Sequence, residues 1–354
     1  MSDSALVLAQ VRNHVGHLTL NRAASLNSLN LEMVRLLQQQ LSAWADDAKV
    51  YAVVLRAEGE KAFCAGGDIR ALYDNHLAGN KDNETFFSEE YALDLFIHNY
   101  NKPVVALMDG YVLGGGMGLV QGASFRVISE NTRMGMPETG IGYFPDVGGS
   151  YFLSRLADHI GTYMAITGNP IKAADALAVG LADWHLPKEQ FAEFDRCLDH
   201  MSWNGHPNEA IRSLLETLAH KTMDGSELLK LKPAIKKHFS VADAKTIYHS
   251  LKNETDPSYA QWAEKIVNTL DSRSPLALAT AIELVKRGAQ LSLENCFNLE
   301  FHLDCIWFDQ GDIMEGVRAL IVDKDKNPKW QHAHIDDVQQ EQVQALFAGF
   351  TPSL

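Results

Sequence analysis

The first half of the chain alternates strand-like and helix-like segments, and this alternation limits the possible folds more than any other feature. Apolar runs typical of buried strands occur in YAVVLRA, PVVALMDG and FRVIS, with helical or glycine-rich sequence between them. Strands joined in this way pack most simply as right-handed β-α-β crossovers on a mostly parallel sheet. The sequence therefore predicts an α/β fold for this half.

Two local patterns define the beginning of the predicted domain. The segments ALVLAQV and HLTLNR, separated by RNHVG, predict a β-hairpin with a glycine-containing turn. A helix is expected next in NLEMVRLLQQQLSAW, where Asn30 can cap the first turn. Apolar residues recur in this helix at helical spacing and predict one buried stripe, formed by Met33, Leu37, Leu41 and Trp44.

Beyond about Trp203 the strand pattern fades and amphipathic segments follow. Ser274, Pro275 and Gly288 mark the cap, first turn and end of one helix. In the next helix, SLENCFNLEFHLDCIWF, only Glu300 interrupts a broad apolar stripe, so Cys296 is predicted to be a core residue rather than a nucleophile. We expect residues 1–203 to form the core domain and residues 204–354 to form a mainly helical region that completes or covers it.

Composition excludes several function classes. The chain has 354 residues, 46% of them hydrophobic, and a formal charge of -14 without any basic run, which argues against nucleic-acid binding. The apolar runs are too short for a membrane span, and the opening MSDSALVLAQ does not resemble a leader. The four cysteines form no CxxC pair, which favours a reducing compartment, and we expect a cytoplasmic protein without a metal site.

Three consecutive glycines, Gly114 to Gly116, lie between a strand-like run and a short helix-like segment. Neither register gives the dinucleotide fingerprint GxGxxG, and the chain has no phosphate-binding GK[ST] and no GxSxG nucleophile turn. An oxyanion hole remains, in which backbone N–H groups at a helix entry bind developing negative charge. A second small-residue turn, Ala65 to Gly67, offers a partner donor. Tight packing explains these glycines equally well at this stage.

Several motifs together resemble the enoyl-CoA hydratase/isomerase (crotonase) superfamily: AFCAGGDI, MDGYVLGGGMGL, MPETGIGYFPDVGGSYFLSRL and the early loop LNRAASLNSL. FFSEEY and the late GVRALIVDKDKNPKW are similar to its 3-hydroxyisobutyryl-CoA hydrolase branch. The resemblance implies a repeated ββα spiral core and an acyl-CoA substrate. It also implies an oxyanion hole formed by the N–H groups of Gly67 and Gly115, with substrate contacts from Ala65, Asp68 and Gly114.

The carboxylates indicate which reaction to expect. The resemblance implies two glutamates for hydration, but Gly118 occupies the first position and only Glu138 the second. It assigns further functional acids of the hydrolase branch to Glu90 and Asp146. Hydrolysis of a 3-hydroxyacyl-CoA follows, with Glu138 as general base or nucleophile. Asp146 would hold the substrate hydroxyl or carry a proton to the thiolate, and Glu90 would bind substrate or orient water.

Sequence alone leaves other functions open. One carboxylate is enough for an enoyl-CoA isomerase, and a noncatalytic acyl-CoA-binding protein would keep the same motifs. The resemblance implies a role in valine breakdown and no cofactor apart from the CoA of the substrate. Superfamily members often form trimers, whereas the C-terminal helices of this chain would allow a monomer.

Overall fold

A computed structural model describes residues 5–241 and 243–353. The strands are β1 (Val7–Arg12), β2 (Val15–Leu20), β3 (Ala52–Ala57), β4 (Ala62–Cys64), β5 (Val104–Met108), β6 (Tyr111–Leu113), β7 (Phe125–Ile128), β8 (Arg133–Gly135), β9 (Ile171–Lys172) and β10 (Trp184–His185). The α-helices are α1 (Leu31–Asp46), α2 (Ile69–Leu77), α3 (Asp82–His98), α4 (Gly115–Gln121), α5 (Gly149–Ser154), α6 (Ile160–Thr167), α7 (Ala173–Val179), α8 (Phe191–Asp199), α9 (Pro207–Leu218), α10 (Glu227–Phe239), α11 (Ala244–Lys252), α12 (Ala260–Asp271), α13 (Pro275–Gly288), α14 (Leu293–Gln310), α15 (Ile313–Val317) and α16 (Gln340–Leu346).

The chain forms two compact units, and each is assembled from three separate stretches. The described residues of unit 1 are 5–67, 89–134 and 171–227, and those of unit 2 are 68–88, 135–170, 228–241 and 243–353. The predicted division at residue 203 follows sequence pattern rather than compactness, and it stays a prediction.

The main sheet of unit 1 has six strands in the order β1-β2-β3-β5-β7-β10. Only β1 and β2 pair antiparallel, and every other neighbouring pair is parallel. Most side chains of the central strands β3, β5 and β7 are buried, as expected for parallel strands covered on both faces. The predicted mostly parallel sheet is confirmed.

The first hairpin is confirmed, but the prediction of a glycine-containing turn is wrong. Asn13 and His14 form the turn with φ of +42° and +67°, the left-handed conformation that a two-residue hairpin turn requires. Gly16 lies in β2, where a Cβ atom would come within 2.6 Å of the Trp44 ring. This glycine therefore permits close packing of helix α1 on the strand rather than a turn.

Helix α1 begins where the capping pattern predicts. The Asn30 side chain accepts a hydrogen bond from the Met33 N–H at 2.9 Å. All four residues of the predicted stripe are buried, together with Val34. One apolar face of α1 thus packs into unit 1.

A second sheet in unit 1 has the strand order β4-β6-β8-β9, with β4 and β6 parallel. A glycine-rich turn follows each of these parallel strands. At the second turn, Gly114 has φ of +48° and ψ of -120°, a conformation that side chains larger than glycine rarely adopt. The two turns place their backbone at the same end of the neighbouring strands β4 and β6.

Unit 2 is helical, and its two longest predicted helices are confirmed. Ser274 caps α13 by accepting a hydrogen bond from Ala277 N–H at 3.0 Å. Helix α14 buries Cys296 completely, which confirms its predicted place in the core. After β10, the described residues contribute only the isolated bridge between His185 and His220 to any β pairing. Within the described part of the chain, every helix is too short or too polar to cross a bilayer.

Candidate active site

The two predicted oxyanion donors lie close together in unit 1. A Cβ atom built on Gly115 would lie 3.5 Å from the Gly67 nitrogen, and one built on Gly66 would lie 3.7 Å from the Gly115 nitrogen. Neither Gly67 nor Gly115 donates its backbone N–H to another described residue. Two N–H groups with unused hydrogen-bonding capacity therefore border one small space, as an oxyanion hole requires.

Glu90 reaches the same space from helix α3. A Cβ atom on Gly115 would collide with Oε1 of Glu90, and the Glu90 side chain is almost fully buried. The adjacent Glu89 provides a comparison on the same helix. It faces outward and pairs with Arg35, with both its oxygens 2.7 Å from the guanidinium, and this ion pair lowers its pKa. Helical spacing thus separates a solvent-facing carboxylate from a buried one.

The remaining predicted residues of these turns have structural roles. The Ala65 N–H donates to the Leu26 carbonyl at 3.0 Å, and the Gly114 carbonyl accepts from Met117 N–H at 2.7 Å. In unit 2, the Asp68 carboxylate caps α2 by accepting from Ala71 N–H at 3.3 Å. We find these three residues positioned to shape the turns, and their substrate contacts stay predictions.

Cys64 lies beside the first turn without the properties of a nucleophile. Burial raises the pKa of its thiol to about 12, and the charges of Glu90 and Asp94 act in the same direction. The thiol thus stays protonated at neutral pH, whereas a thiolate is the reactive form. Asp94, one helical turn after Glu90, is also buried, and the sequence interpretation missed it.

Glu138 lies in unit 2, where it begins a short 3₁₀-helix, Glu138–Ile141. This helix follows shortly after strand β8 ends at Gly135. Its side chain is 7% exposed, and its Oε2 atom has no hydrogen-bond partner among the described residues. Burial raises the pKa of Glu138 well above its usual value, and the charge of Asp146 raises it further. A carboxyl group in this state is suited to proton transfer or attack near neutral pH.

Asp146 lies eight residues later, in a turn of unusual conformation. Its carbonyl accepts a hydrogen bond from Gly149 N–H at 2.6 Å, and its side chain is buried. The next two residues, Val147 and Gly148, have φ of +52° and +79°. Asp146 therefore belongs to a tight turn, and the negative charge of its carboxylate also raises the pKa of Glu138.

Helix α14 supplies a buried carboxylate that the sequence interpretation treated only as an interruption. Glu300 accepts hydrogen bonds from Gly148 N–H at 2.6 Å, Ser150 N–H at 2.9 Å and the Ser150 hydroxyl at 2.5 Å. Burial raises the pKa of Glu300 to about 8, the charge of Asp146 adds to the increase, and these hydrogen bonds oppose it. The available clue was a lone acid on an apolar stripe, which requires a buried partner.

The structure thus assembles the predicted residues in two groups. Gly67, Gly115 and Glu90 come together in unit 1, and Glu138 and Asp146 come together in unit 2. The described residues contain no group of three or more His, Cys, Asp or Glu side chains arranged to bind a metal ion.

A family model described as enoyl-CoA hydratase/isomerase matches residues 15–347. The chain belongs to the enoyl-CoA hydratase/isomerase family. Among curated relatives, the mitochondrial 3-hydroxyisobutyryl-CoA hydrolase of Xenopus tropicalis is 38% identical over 336 residues, 94% of this chain and 86% of the relative. The corresponding Homo sapiens protein is 34% identical over 344 residues, 96% of this chain and 88% of the relative.

Solved structures of this family confirm the fold. A carnitinyl-CoA dehydratase from Mycobacterium thermoresistibile is 36% identical with a TM-score of 0.90, covering 99% of this chain and 98% of its own. An enoyl-CoA hydratase from Rhodobacter sphaeroides is 32% identical with a TM-score of 0.86, covering 97% of each chain. The crotonase-like α/β core with a helical C-terminal region is therefore confirmed for this family member.

The names of these family members disagree about the reaction. The curated relatives are named as hydrolases, whereas the two solved structures are named as a dehydratase and a hydratase. The level of identity is similar in both groups, so it does not separate the two chemistries. The distinction between thioester hydrolysis and hydration therefore rests on the residues of the site.

Proposed function

We propose that this protein hydrolyses the thioester of 3-hydroxyisobutyryl-CoA, or of a close 3-hydroxyacyl-CoA, to the free 3-hydroxy acid and CoA. The observation that carries this proposal is the buried pair of Glu138 and Asp146, in which the Asp146 charge raises the pKa of Glu138 and Oε2 of Glu138 has no partner among the described residues. Nearly full-length curated relatives with this hydrolase name support the same chemistry.

In the proposed reaction, the thioester carbonyl oxygen accepts hydrogen bonds from the N–H groups of Gly67 and Gly115. These donors stabilise the negative charge that develops on the oxygen when the carbonyl is attacked, and one such donor contributes about 3 kcal/mol in other acyl-transfer enzymes. A thioester is only weakly stabilised by resonance, and the thiolate is a good leaving group. Hydrolysis therefore requires mainly this polarisation of the carbonyl and a correctly positioned attacking group.

Glu138 supplies the attack. As a general base it takes a proton from water while the water oxygen bonds to the carbonyl carbon, and the C–S bond then breaks. As a nucleophile it bonds to the carbonyl carbon itself, releases the thiolate and leaves an anhydride that water hydrolyses. Both routes consume one water and yield one carboxylic acid and one thiol, and both require an ionised Glu138.

The other residues complete the proposed site. Asp146 holds the 3-hydroxyl group of the substrate or returns a proton to the departing thiolate, and Glu90 binds substrate or orients water. Ala65, Asp68 and Gly114 contribute substrate contacts through the two turns. We propose no cofactor beyond the CoA of the substrate, as the family resemblance implies.

Gly118 favours hydrolysis over hydration or dehydration. The residue lies buried in helix α4, where the family resemblance assigns the first of the two hydration glutamates. A glycine offers no group to hold the water or take the proton that addition to a double bond requires. We therefore propose that this chain does not share the dehydratase and hydratase chemistry named for its two structural neighbours.

The cellular setting is part of the proposal. The four cysteines are free, as expected in a reducing compartment, and we propose a cytoplasmic location, whereas the curated relatives are named mitochondrial. We also propose that the reaction serves valine breakdown, as the family resemblance implies.

Release of free thiol tests the function directly. Purified protein is given 3-hydroxyisobutyryl-, 3-hydroxypropionyl-, 3-hydroxybutyryl- and acetyl-CoA, and a parallel series uses Glu138→Ala. We expect thiol release from 3-hydroxyacyl substrates, slow release from acetyl-CoA and loss of release in the variant. Double-bond migration in enoyl-CoA without thiol release would replace the proposal by isomerisation. Tight CoA-thioester binding without any turnover would identify a binding protein.

A further inference from the structure

Helix α14 carries three polar side chains on its buried face. Glu300, Asp304 and Trp307 follow one another at intervals of four and three residues, and each is at most 5% exposed. This spacing places them along one line of the helix surface. Burying polar groups in this way is unfavourable unless each forms hydrogen bonds.

All three side chains bind the same segment of unit 2, Gly142–Ser150. Trp307 Nε1 donates to the Gly142 carbonyl at 2.9 Å, and the hydroxyl of Tyr143, the next residue, donates to Asp304. At the other end, the two N–H groups and the hydroxyl described above donate to Glu300. The segment is therefore held on both sides of Asp146.

The part of the segment held by Glu300 does not adopt a relaxed conformation. Val147 is a β-branched residue with φ of +52°, in a region that such residues rarely occupy. Residues held in sparsely populated backbone conformations persist where surrounding contacts impose them, and they cluster at functional sites. The donors that Glu300 binds, on Gly148 and Ser150, directly follow this valine.

We propose that Glu300 is a positioning residue, which holds the turn from Asp146 to Gly149 in its strained conformation and so directs the Asp146 carboxylate toward its substrate. This inference rests on the proposed function, because it takes the catalytic part of Asp146 from there. Asp304 and Trp307 fix the opposite end of the same segment. Glu300 itself contacts no reacting atom in this scheme.

A purely structural role for Glu300 predicts a different outcome. If Glu300 only stabilises the first turn of helix α5, its loss lowers the melting temperature without changing what Asp146 contributes to the rate. A positioning role makes the two residues act as one unit. Their effects on kcat/KM are then strongly non-additive, because a misdirected Asp146 and an absent one are equally ineffective.

The test is a double-mutant cycle on thiol release from 3-hydroxyisobutyryl-CoA. The variants are Glu300→Gln, Asp146→Asn and the double variant, with melting temperature measured for each. We expect Glu300→Gln to lower kcat/KM between tenfold and a hundredfold. In the Asp146→Asn background, the same change should lower it by less than threefold. Losses that multiply in the double variant would overturn the positioning role.

Two further variants keep the test independent of folding. Glu283→Gln alters another buried glutamate of unit 2, one bonded to Arg287 at 2.7 Å and not to the Gly142–Ser150 segment, and it should leave kcat/KM within threefold of wild type. Ser150→Ala removes the hydroxyl donor to Glu300 but keeps the Ser150 N–H donor, and it should lower kcat/KM two- to tenfold, again without effect in the Asp146→Asn background. An equal loss in that background would contradict the proposal.

Failure of the proposed hydrolase function can be distinguished from failure of the positioning role. The function fails if Asp146→Asn and Glu138→Ala keep normal activity, or if wild type releases no thiol. Normal activity in Asp146→Asn overturns the positioning role as well. Reduced activity in Asp146→Asn with fully multiplicative losses overturns the positioning role alone.

Discussion

The space that a side chain would need at Gly115 is occupied by the carboxylate of Glu90. Because the obstruction is the far end of a side chain, Gly115→Ala should fold by displacing Glu90, and its methyl group, 3.5 Å from the Gly67 nitrogen, should then block the space that the two N–H donors border. We expect kcat/KM to fall on the order of 10²- to 10³-fold, as when an oxyanion donor is lost. Steady-state thiol release with a parallel melting curve checks this, and an unchanged rate would contradict it.

Gly116→Ala and Gly205→Ala are matched comparisons for that variant. At Gly116 a Cβ atom would lie 2.5 Å from the Cys64 backbone carbonyl, whereas at Gly205 it would meet nothing within 4 Å. We expect Gly116→Ala to lower the free energy of unfolding by about 1 to 3 kcal/mol. In denaturant titrations, the free energy of unfolding of Gly205→Ala should stay close to that of wild type.

The pH dependence of kcat/KM should reflect the coupling between Glu138 and Asp146. Glu138 must be ionised to act, and its pKa is raised, so activity should decline on the acid side well above the usual carboxyl range. Asp146→Asn removes one cause of the increase and should move this decline to lower pH. A pH profile of the residual activity in Asp146→Asn provides the measurement. An identical acid limb in both proteins would show that the charges are not coupled.

Glu138→Gln should separate activity from stability. Since the folded pKa of Glu138 lies above its unfolded value, its contribution to stability is present at low pH and is lost as pH rises through the folded pKa. The neutral amide avoids this loss. We expect a melting temperature equal to or above wild type at pH 8, a smaller advantage at pH 4.5, and a rate lowered about 10²- to 10⁴-fold. A lower melting temperature at pH 8 would count against this account.

His17 gives unit 1 a sensitivity to acid. Burial lowers its pKa to about 4, and the charges of Arg56 and Arg12 act in the same direction. Because the unfolded pKa is near 6.5, the neutral form stabilises the fold above pH 6.5, and this stabilisation is lost as pH falls toward 4. Relative to His17→Gln, wild type should lose about 1 to 3 kcal/mol over that range.

Urea titrations at pH 7 and pH 4.5 measure this difference in the free energy of unfolding. His200→Gln is the control, because His200 is exposed and its ring bonds to the Arg196 carbonyl of the adjoining helix α8 at 2.8 Å. It should show no comparable change between the two pH values. An equal pH effect in both variants would remove His17 as the cause.

Local rules predicted the parts of the fold that depend on neighbouring residues. Asn30 and Ser274 cap their helices because a capping side chain needs only the next turn. The buried strands follow from their apolar runs. The prediction of the first turn was wrong because it placed Gly16 in the turn, whereas Asn13 and His14 form the turn with positive φ angles.

The same local rules do not identify contacts between residues that are far apart in the sequence. Glu300 stood out in the sequence as an acid on an apolar stripe, but its partner Gly148 is 152 residues away. Nothing in the sequence around either residue indicates the other. Similarly, the collision between a side chain at Gly115 and the Glu90 carboxylate depends on how helix α3 packs near the second glycine-rich turn. Such contacts exist only after tertiary packing.

The distance along the chain between Glu300 and the Asp146 turn also governs when a newly made molecule becomes competent. Ribosomes add roughly 5 to 20 residues per second. The Gly142–Ser150 segment therefore emerges on the order of 10 to 30 seconds before helix α14. A nascent chain still lacking α14 lacks the side chains that hold this segment at both ends. The Asp146 turn can therefore be held at both ends only after helix α14 has been synthesised and has packed against it.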